Sequence, residues 1–573
     1  MSTSESIPRR HGPHRNNPEP HGPRPRPVVD FADQPRVRRN EYGILEPPTL
    51  GEWTPSLSVS VVVPSHGQPE KLALVLASLA AQSYPAHLME VIVVDDGSPE
   101  PLALPPVVPE NTRLITSAAG AWGSGHAVNT GVAASSGQVV LRLDADMLVY
   151  REHIEAQMRW HHLVDYAVVL GHKLFVDFEP SMLTGDLNPE RVRAEVAAGR
   201  AGTLFDREAA DPHWIADLIE GTDGLRTAGY GAFKVYIGAT GSLHRALFEQ
   251  AGAMDPDLVL GGDSEFGHRL AERGALFVPD DEADSWHLGR SQMQDQRDAG
   301  RRFRAPYVAN RVPDFHLRTK GPARVWEVPR AEVVVDAAGH TLEEVDATVA
   351  PLLAGTAPDV RVLLKGPWEE LTDGRRSPLA EELLDLRLIR ETYRADLRVR
   401  CVEEVPEPDG RVPFRLHLPT GVRPLPGMVD DLVRLADRKS AGLVCAPVPG
   451  ALRAGDGVLR LERAAAFARA LHLSPKAEGT ALDRVVEETG GLQWTSANRY
   501  VEVPEGAEAT WGTERREPGA EPEPEPTPVE LRAELRRAQR EIDRLRRRAE
   551  RTERKLRWFT PGLGRRLLRR IAR

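Results

Sequence analysis

Residues 139–146 join an apolar run to two carboxylates, in the order Val-Val-Leu-Arg-Leu-Asp-Ala-Asp. A short apolar run between polar segments predicts a buried strand. Because residues two apart on a strand point the same way, Asp144 and Asp146 at its end can face one divalent cation. Open α/β sheets bind ligands beyond the carboxyl ends of their strands, so this run predicts a ligand-binding sheet edge.

Strand-like and helix-like patterns alternate around this run. Apolar stretches typical of strands occur at 58–63 and 90–94, and leucines at helical spacing follow the first of them in 72–79. The connections between these elements are short. This alternation predicts an α/β fold with a Rossmann-like, mostly parallel sheet that is covered by helices.

Composition restricts the class of protein. The 573 residues are 41% hydrophobic and 28% charged, which suits several globular domains. The two cysteines, Cys401 and Cys445, predict neither a disulfide framework nor a cysteine-based zinc site. We find no apolar run of roughly 18 residues and no secretory leader, so we expect a cytoplasmic protein.

Changes in composition divide the chain into segments. We expect disorder in 1–47, a first α/β domain in 48–310, a second α/β domain in 326–500, a Pro/Glu linker in 501–528, a coiled-coil helix in 529–558 and a basic amphipathic tail in 559–573.

The second α/β domain resembles a degenerate copy of the first. Three short stretches match at a nearly constant offset: 331–339 with 59–67, 362–366 with 93–97, and 414–419 with 141–146. The alternative is chance similarity of short apolar strands. In this alignment His417 and Pro419 replace Asp144 and Asp146, so no Asp-x-Asp cation site is expected in the second domain.

Charge is concentrated at the C-terminal end. The net charge is −10, yet residues 531–573 contain 17 Lys or Arg and 5 Asp or Glu, a local charge of +12. A basic segment on an acidic body favours an anionic partner, and the tail could lie on the inner face of the plasma membrane as a peripheral anchor. A solvated helix is the alternative. The leucine spacing in 529–558 also predicts a homodimer, and we expect no nucleic-acid partner.

Further polar motifs occur in the first domain. Pro64-Ser65 and Asp95-Asp96 end the first two strands, and a glycine-rich loop at 120–126 leads to Asn129. Such residues also serve as turns and helix caps, which is the alternative to ligand binding.

Three motifs follow later in the same domain. Thr240 and Gly241 lie in a small, polar stretch that lines an acceptor pocket or begins a helix. Asp263 and Glu265 begin a helix, where a carboxylate can cap the helix or act as a general base. His287 could complete a cation site, although a lone histidine is more often structural.

Taken in order, residues of about 57–300 resemble family 2 of the inverting glycosyltransferases, which have the GT-A fold. The resemblance rests on four motifs: Pro64-Ser65, Val93-Val94-Asp95-Asp96-Gly97-Ser98, Leu143-Asp144-Ala145-Asp146, and Gly261-Gly262-Asp263-Ser264-Glu265-Phe266.

The resemblance implies a role for each motif. The nucleotide sugar would be bound by Pro64, Ser65, Asp95, Asp96, Asn129 and Asp144. Asp144, Asp146 and His287 would surround Mn²⁺ or Mg²⁺. Asp263 would be the catalytic base, and Glu265, Thr240 and Gly241 would bind the acceptor. The implied donor is a nucleotide-diphosphate sugar, with a UDP-sugar favoured, and the implied acceptor is a glycan or glycolipid.

Two positions depart from the family pattern. Gly262 stands where an acidic residue usually precedes the base, and Val128 stands where Arg or Lys often precedes the asparagine. An insertion at about 177–235, which contains Trp214, is expected to shape acceptor choice.

We therefore expect a metal-dependent inverting glycosyltransferase of bacterial cell-surface polysaccharide or glycolipid synthesis. Two alternatives remain. The first is a non-catalytic glycosyltransferase-like scaffold. The second is a sugar nucleotidyltransferase, which would need a basic glycine-rich loop after the first strand.

Overall fold

The computed structural model describes residues 34–179, 181–182, 187–318, 324–448 and 457–503. The predicted coiled coil at 529–558 and basic tail at 559–573 lie outside these ranges, as does nearly all of the predicted linker.

The first half alternates strands and helices as expected. Its strands are β1 Val59–Ser65, β2 Met89–Asp95, β3 Thr112–Thr116, β4 Val139–Leu143, β5 Met147–Val149, β6 Ala167–Gly171, β7 Leu174–Val176, β8 Asp211–Pro212, β9 Thr240–His244, β10 Leu276–Asp280 and β11 Ser285–Leu288. Its helices are α1 Pro69–Leu79, α2 Ser124–Ala133, α3 His153–His161, α4 Pro189–Ala197, α5 Ala216–Gly221, α6 Arg245–Ala251, α7 Gly262–Glu272, α8 Gln292–Asp295 and α9 Arg297–Arg311.

Seven of these strands form one sheet in the order β10-β6-β9-β4-β1-β2-β3. The pairs β1–β2, β1–β4, β2–β3 and β6–β10 are parallel, and β9 runs antiparallel to both of its neighbours. All residues of β1, β2 and β4 are buried, as strands covered by helices on both faces require. The predicted mostly parallel α/β sheet is confirmed.

A second, four-stranded sheet has the order β5-β11-β7-β8. Strand β5 begins directly after the Asp-x-Asp motif and pairs with β11, so that Met147 faces His287. Strand β7 is the next neighbour and places Phe175 opposite His287. This small sheet therefore holds Asp146, the residue before β5, next to the adjacent strand that carries His287.

The small, polar stretch around Thr240 is followed by a helix, as expected, but most of the stretch is itself a strand. Residues Thr240–His244 form β9 in the middle of the main sheet, and the helix begins only at Arg245. The β-branched Thr240 suits this buried strand, since its hydroxyl has polar partners there.

The second half contains strands and helices of similar length. Its strands are β12 Ala331–Asp336, β13 Val360–Lys365, β14 Val399–Val402, β15 Phe414–His417, β16 Arg423–Pro424, β17 Leu443–Pro447, β18 Val458–Arg463, β19 Leu492–Trp494 and β20 Val501–Glu502. Its helices are α10 Leu342–Leu353, α11 Leu384–Tyr393, α12 Met428–Lys439, α13 Ala464–Leu473 and α14 Gly479–Thr489.

The two seven-stranded sheets have the same topology. The second has the order β14-β13-β12-β15-β18-β17-β19, which matches β3-β2-β1-β4-β9-β6-β10 strand for strand. Parallel and antiparallel pairs also coincide. This agreement supports the duplication that the sequence suggested.

The sheet register shifts two parts of the sequence alignment, 362–366 and 414–419, by two residues each. Leu141 pairs with Val61 in the first sheet, and Leu416 pairs with Val333 in the second. Leu416 is therefore the counterpart of Leu141, two residues away from the sequence match. Continued along the strand, this register sets Pro419 against Asp144, so the second domain still lacks the carboxylate.

Residues 34–47 differ from the expected disorder of 1–47. Val37 is fully buried, and the side chain of Asn40 donates hydrogen bonds to the carbonyls of Leu225 and Phe277. Arg36 forms an ion pair with Glu488 of the second half. This stretch reads as polar in sequence because its few apolar residues are isolated, and its order comes from contacts with distant residues.

Arg469 fastens the second half to the first. Its guanidinium is buried and donates to the carbonyls of Gly274 and Ala275, both at 2.7 Å, and to those of Val37 and Arg39. Gly274 has a φ of +82° and lies so close to α13 that an added Cβ would be 2.6 Å from the backbone nitrogen of Arg469.

None of the helices in the described part of the chain combines the length and the apolar character needed to span a bilayer.

We predict that Arg469→Met lowers the free energy of unfolding by at least about 2 kcal/mol, because several buried carbonyls lose their donor. Urea denaturation measures this change. Arg438→Met on the exposed face of α12 is the control, with an expected change within about 0.5 kcal/mol. Equal effects of the two substitutions would show that Arg469 does not join the halves.

Candidate active site

The carboxyl ends of β1, β2 and β4 meet at one edge of the main sheet. Ser65 and Asp95 are direct partners in the parallel register of β1 and β2. Asp144 follows β4, and its backbone N–H donates to the carbonyl of Ala239 at 2.9 Å. The parallel arrangement thus gathers the predicted site residues of three strands.

Asp146 and His287 form a close pair at this edge. Asp146 Oδ1 is 3.6 Å from His287 Nε2, and His287 Nδ1 is 2.9 Å from the carbonyl oxygen of Gly289. If Nδ1 carries the proton and donates to Gly289, the Nε2 lone pair is free for a cation. Burial raises the pKa of Asp146, and His287 opposes this shift.

Asp146 and His287 could hold a divalent cation whose remaining ligands come from a bound substrate and from water. Among the described residues no group of three or more His, Cys, Asp or Glu side chains could hold a metal ion. One carboxylate and one imidazole suit Mn²⁺ or Mg²⁺ when diphosphate oxygens and water supply the other ligands. Asp144 differs from Asp146 in its partner, because its carboxylate is paired with a positively charged side chain of the protein.

That cation is Arg142, which sequence analysis did not select. Its Nε donates to Asp144 Oδ1 at 3.1 Å, and its Nη1 donates to Asp263 Oδ1 at 2.5 Å. Arg142 is only 5% exposed, and despite its burial the two carboxylates raise its pKa. One guanidinium thus links the Asp-x-Asp motif to the candidate base.

Asp263 lies in the first turn of α7, as predicted. Only Oδ1 is held by Arg142, and no hydrogen bond from a described residue reaches Oδ2. Its side chain is 29% exposed, so the free oxygen can reach solvent or a ligand. This arrangement suits a base with a fixed orientation.

Two lysines near the site were also missed. Lys71 in α1 lowers the pKa of Asp146, and an added Cβ on Gly289 would be 3.3 Å from its Nζ. Lys173, between β6 and β7, lies among Asp144, Asp263 and Arg142. Arg142 could have been found from the sequence, because it is a charged residue inside the apolar run 139–143. No local sequence pattern points to either lysine.

His213 borders the same region from the predicted insertion. Its ring stacks on Phe175 at 5.5 Å, and Phe175 in turn lies 4.3 Å from the ring of His287. Burial, together with the nearby Lys173 and His287, lowers the pKa of His213 to about 3. Trp214 follows and is exposed.

Asp95 and Asp96 hold the loops of their own edge. Asp95 accepts from the backbone N–H groups of Ser98 and Leu102, and although burial opposes it, these bonds lower the pKa of Asp95. Asp96 accepts from the Ser117 hydroxyl at 2.7 Å and from the Gly123 N–H at 2.6 Å. Their nucleoside-binding role stays a prediction.

Asn129 and Ser65 also have internal partners. Both the amide nitrogen and oxygen of Asn129 bond the backbone of Met254, at 2.8 and 2.9 Å. The hydroxyl of Ser65 donates to the carbonyl of Val63, and the preceding Pro64 is buried in β1. Pro64 and Ser65 thus lie at the end of β1, and both polar side-chain atoms of Asn129 bond to Met254.

The predicted acceptor residues lie inside the protein. Glu265 accepts two hydrogen bonds from Arg269, at 2.6 and 2.8 Å, and is almost fully buried. The Thr240 hydroxyl is 2.7 Å from the His153 ring, and Gly241 lies beside it in β9. The structure does not bring these residues into contact with Asp263, and their acceptor role stays a prediction.

Comparison with protein families gives one match. Residues 60–182 match the family model described as Glycosyl transferase family 2. Together with the observed sheet, the match confirms the expected GT-A type of α/β fold. It covers Asp144, Asp146 and Lys173 and ends before Asp263 and His287.

Solved structures give weaker likenesses. The mannosyltransferase PcManGT from Pyrobaculum calidifontis, in complex with GDP-Man and Mn²⁺, is 18% identical over 43% of this chain and 61% of its own, with a TM-score of 0.29. S. aureus TarS 1-349 in complex with UDP-GlcNAc is 19% identical over 41% and 59%, with a TM-score of 0.27.

GalNAc-T7 with UDP, GalNAc and Mn²⁺ is 16% identical over 41% of this chain and 44% of its own, with a TM-score of 0.29. This chain thus spans less than two thirds of each of the three proteins. No curated protein matches the chain.

We predict that Gly238→Ala destabilises the site around Arg142. An added Cβ would lie 2.0 Å from Nη1 of Arg142, so the guanidinium must leave Asp144 or Asp263, at an expected cost of at least about 1 kcal/mol. Urea denaturation measures it. The matched control is Gly231→Ala, where nothing lies within 4 Å of the added Cβ. Equal unfolding midpoints for the two variants would contradict the prediction.

Proposed function

We propose that this chain is a metal-dependent inverting glycosyltransferase. It transfers a sugar from a nucleotide-diphosphate donor, with UDP-sugars favoured, to a hydroxyl of a glycan or glycolipid. The observation that carries the proposal is the Arg142 bridge. Its guanidinium donates to both Asp144 and Asp263 and so holds the candidate base next to the Asp-x-Asp motif. The family 2 match over 60–182 supports the same activity.

The diphosphate end of the proposed site is formed by Asp146, His287 and Lys71. Asp146 and His287 would hold the cation, which when bound neutralises the charge on the departing nucleoside diphosphate. Lys71 adds a positive charge close to Asp146. Asp144 is fixed by Arg142 and would lie near the ribose.

The base end is formed by Asp263. Its free Oδ2 takes the proton of the acceptor hydroxyl as that oxygen attacks the anomeric carbon. The new C–O bond forms as the bond to the diphosphate oxygen breaks, and the electron pair leaves with the nucleoside diphosphate. A single displacement of this kind inverts the anomeric carbon.

Bacterial cell-surface polysaccharide or glycolipid synthesis on the cytoplasmic side of the membrane is the setting we propose. The second half would be a repeat of the same fold without the carboxylates, held to the first by Arg469. The alternative of a non-catalytic scaffold predicts that the protein binds no nucleotide.

The first test is calorimetry with UDP, GDP and dTDP in the presence of Mn²⁺. We expect one nucleotide to bind, and Asp146→Asn to weaken it at least about tenfold, because a metal ligand is lost. The control is Asp257→Asn in the chain's other Asp-x-Asp sequence, where the side chain is 77% exposed. No binding by the wild-type protein would favour the scaffold, and unchanged affinity of Asp146→Asn would reject its metal role.

The second test is Asp263→Asn. We expect nucleotide affinity to be retained and release of nucleoside diphosphate from a panel of UDP-sugars and GDP-mannose to fall at least about 10²-fold, because the base is lost. Asp257→Asn is again the control. Turnover equal to that of the wild-type protein would reject Asp263 as the base.

A further inference from the structure

Lys173 is a buried cation that the proposed mechanism does not use. It lies between β6 and β7, two residues beyond the carboxyl end of β6, and is 4% exposed. Lysine is rarely buried to this degree without a partner, because removing an ammonium from water is costly.

Nothing in the described part of the chain forms a hydrogen bond or an ion pair with the Lys173 ammonium. Its charged neighbours are Asp144, Asp263 and Arg142, and both carboxylates are bonded to Arg142 instead. His213 is a further neighbour, since Lys173 contributes to lowering its pKa. The ammonium therefore faces the site with donors that no described residue accepts.

The charged groups around Lys173 include the proposed base. The charged groups that act most strongly on Asp146 are His287, Asp144 and Lys71. Lys71 thus serves the diphosphate end. Lys173 has Asp144 and the proposed base Asp263 as its carboxylate neighbours, so we place its ammonium near the point where the two sugars would meet.

Charge balance narrows the class of ligand. Two carboxylates, Asp144 and Asp263, already face two cations, Arg142 and Lys173. A further anionic group would be repelled by the carboxylates, whereas a neutral hydroxyl can accept from the ammonium without changing this balance.

We propose that Lys173 is a sugar-binding residue whose ammonium donates to a hydroxyl next to the reacting carbon. That hydroxyl belongs to the transferred sugar or to the acceptor sugar, which present the same polyol chemistry. The proposal rests on the proposed glycosyl transfer and adds a binding residue to it. Burial lowers the pKa of Lys173 to about 8, so the ammonium form prevails at neutral pH.

The test compares Lys173→Met with the wild-type protein. Methionine keeps the length of the side chain and removes its charge and donors. Calorimetry gives the affinity for the nucleotide alone and for its nucleotide sugar, and turnover is measured with water and with a panel of alkyl glycosides as acceptors. Lys234→Met is the control, because this lysine pairs with Asp314 at the surface.

We expect the affinity for the nucleotide alone to stay within about twofold, and one sugar-dependent quantity to worsen about tenfold or more. Weaker binding of the nucleotide sugar, with slower hydrolysis, assigns the hydroxyl to the donor. An increased KM for the glycosides, with donor affinity unchanged, assigns it to the acceptor. Lys173→Arg, which keeps a charged donor, should recover part of the loss.

The proposal is overturned if all sugar-dependent quantities stay within about twofold. It is also overturned if affinity for the nucleotide alone falls as much as affinity for the nucleotide sugar. Should Lys173→Met fail to fold, Lys173→Gln replaces it under the same criteria. A wild-type protein that binds no nucleotide overturns the proposed glycosyl transfer itself, whereas a wild-type protein that binds and turns over the donor isolates the Lys173 question.

Discussion

The buried guanidinium of Arg142 is the interaction on which the site depends. A charge in the middle of a central strand is costly unless it is paired, and Asp144 and Asp263 provide that pairing from two elements 119 residues apart in sequence. Gly238 leaves the space that the guanidinium fills. The fold cannot bury Arg142 without also bringing the start of α7 to the end of β4.

The same bridge divides the polar groups into two sets. Asp146, His287 and Lys71 gather on one side, where a cation and a diphosphate would find opposite charges. Asp263 and Lys173 lie on the other side, and His213 from the insertion has both Lys173 and His287 as neighbours. This grouping of charges is the basis on which we propose glycosyl transfer.

Comparison of the two halves shows that the site residues do not follow from the topology of the sheet. Both sheets have the same strand order and directions, yet the counterpart of Asp144 in the second half is a proline by sheet register. The function belongs to side chains at one edge of the sheet. The second half instead contributes Arg469, whose hydrogen bonds to backbone carbonyls hold the two halves together.

The sequence alone determined the strands and the order of the polar motifs at their ends. Apolar runs specify β1, β2 and β4 because burial on both faces leaves few other options, and the carboxylates Asp95 and Asp144 stand where β2 and β4 end. The sequence could not show which of these carboxylates are already used. Asp95, Asp96, Asn129 and Glu265 bond to nearby protein groups. Only the tertiary structure joins Arg142 to Asp263 and brings Lys173 near Asp144 and Asp263. These interactions connect residues that no local sequence pattern relates.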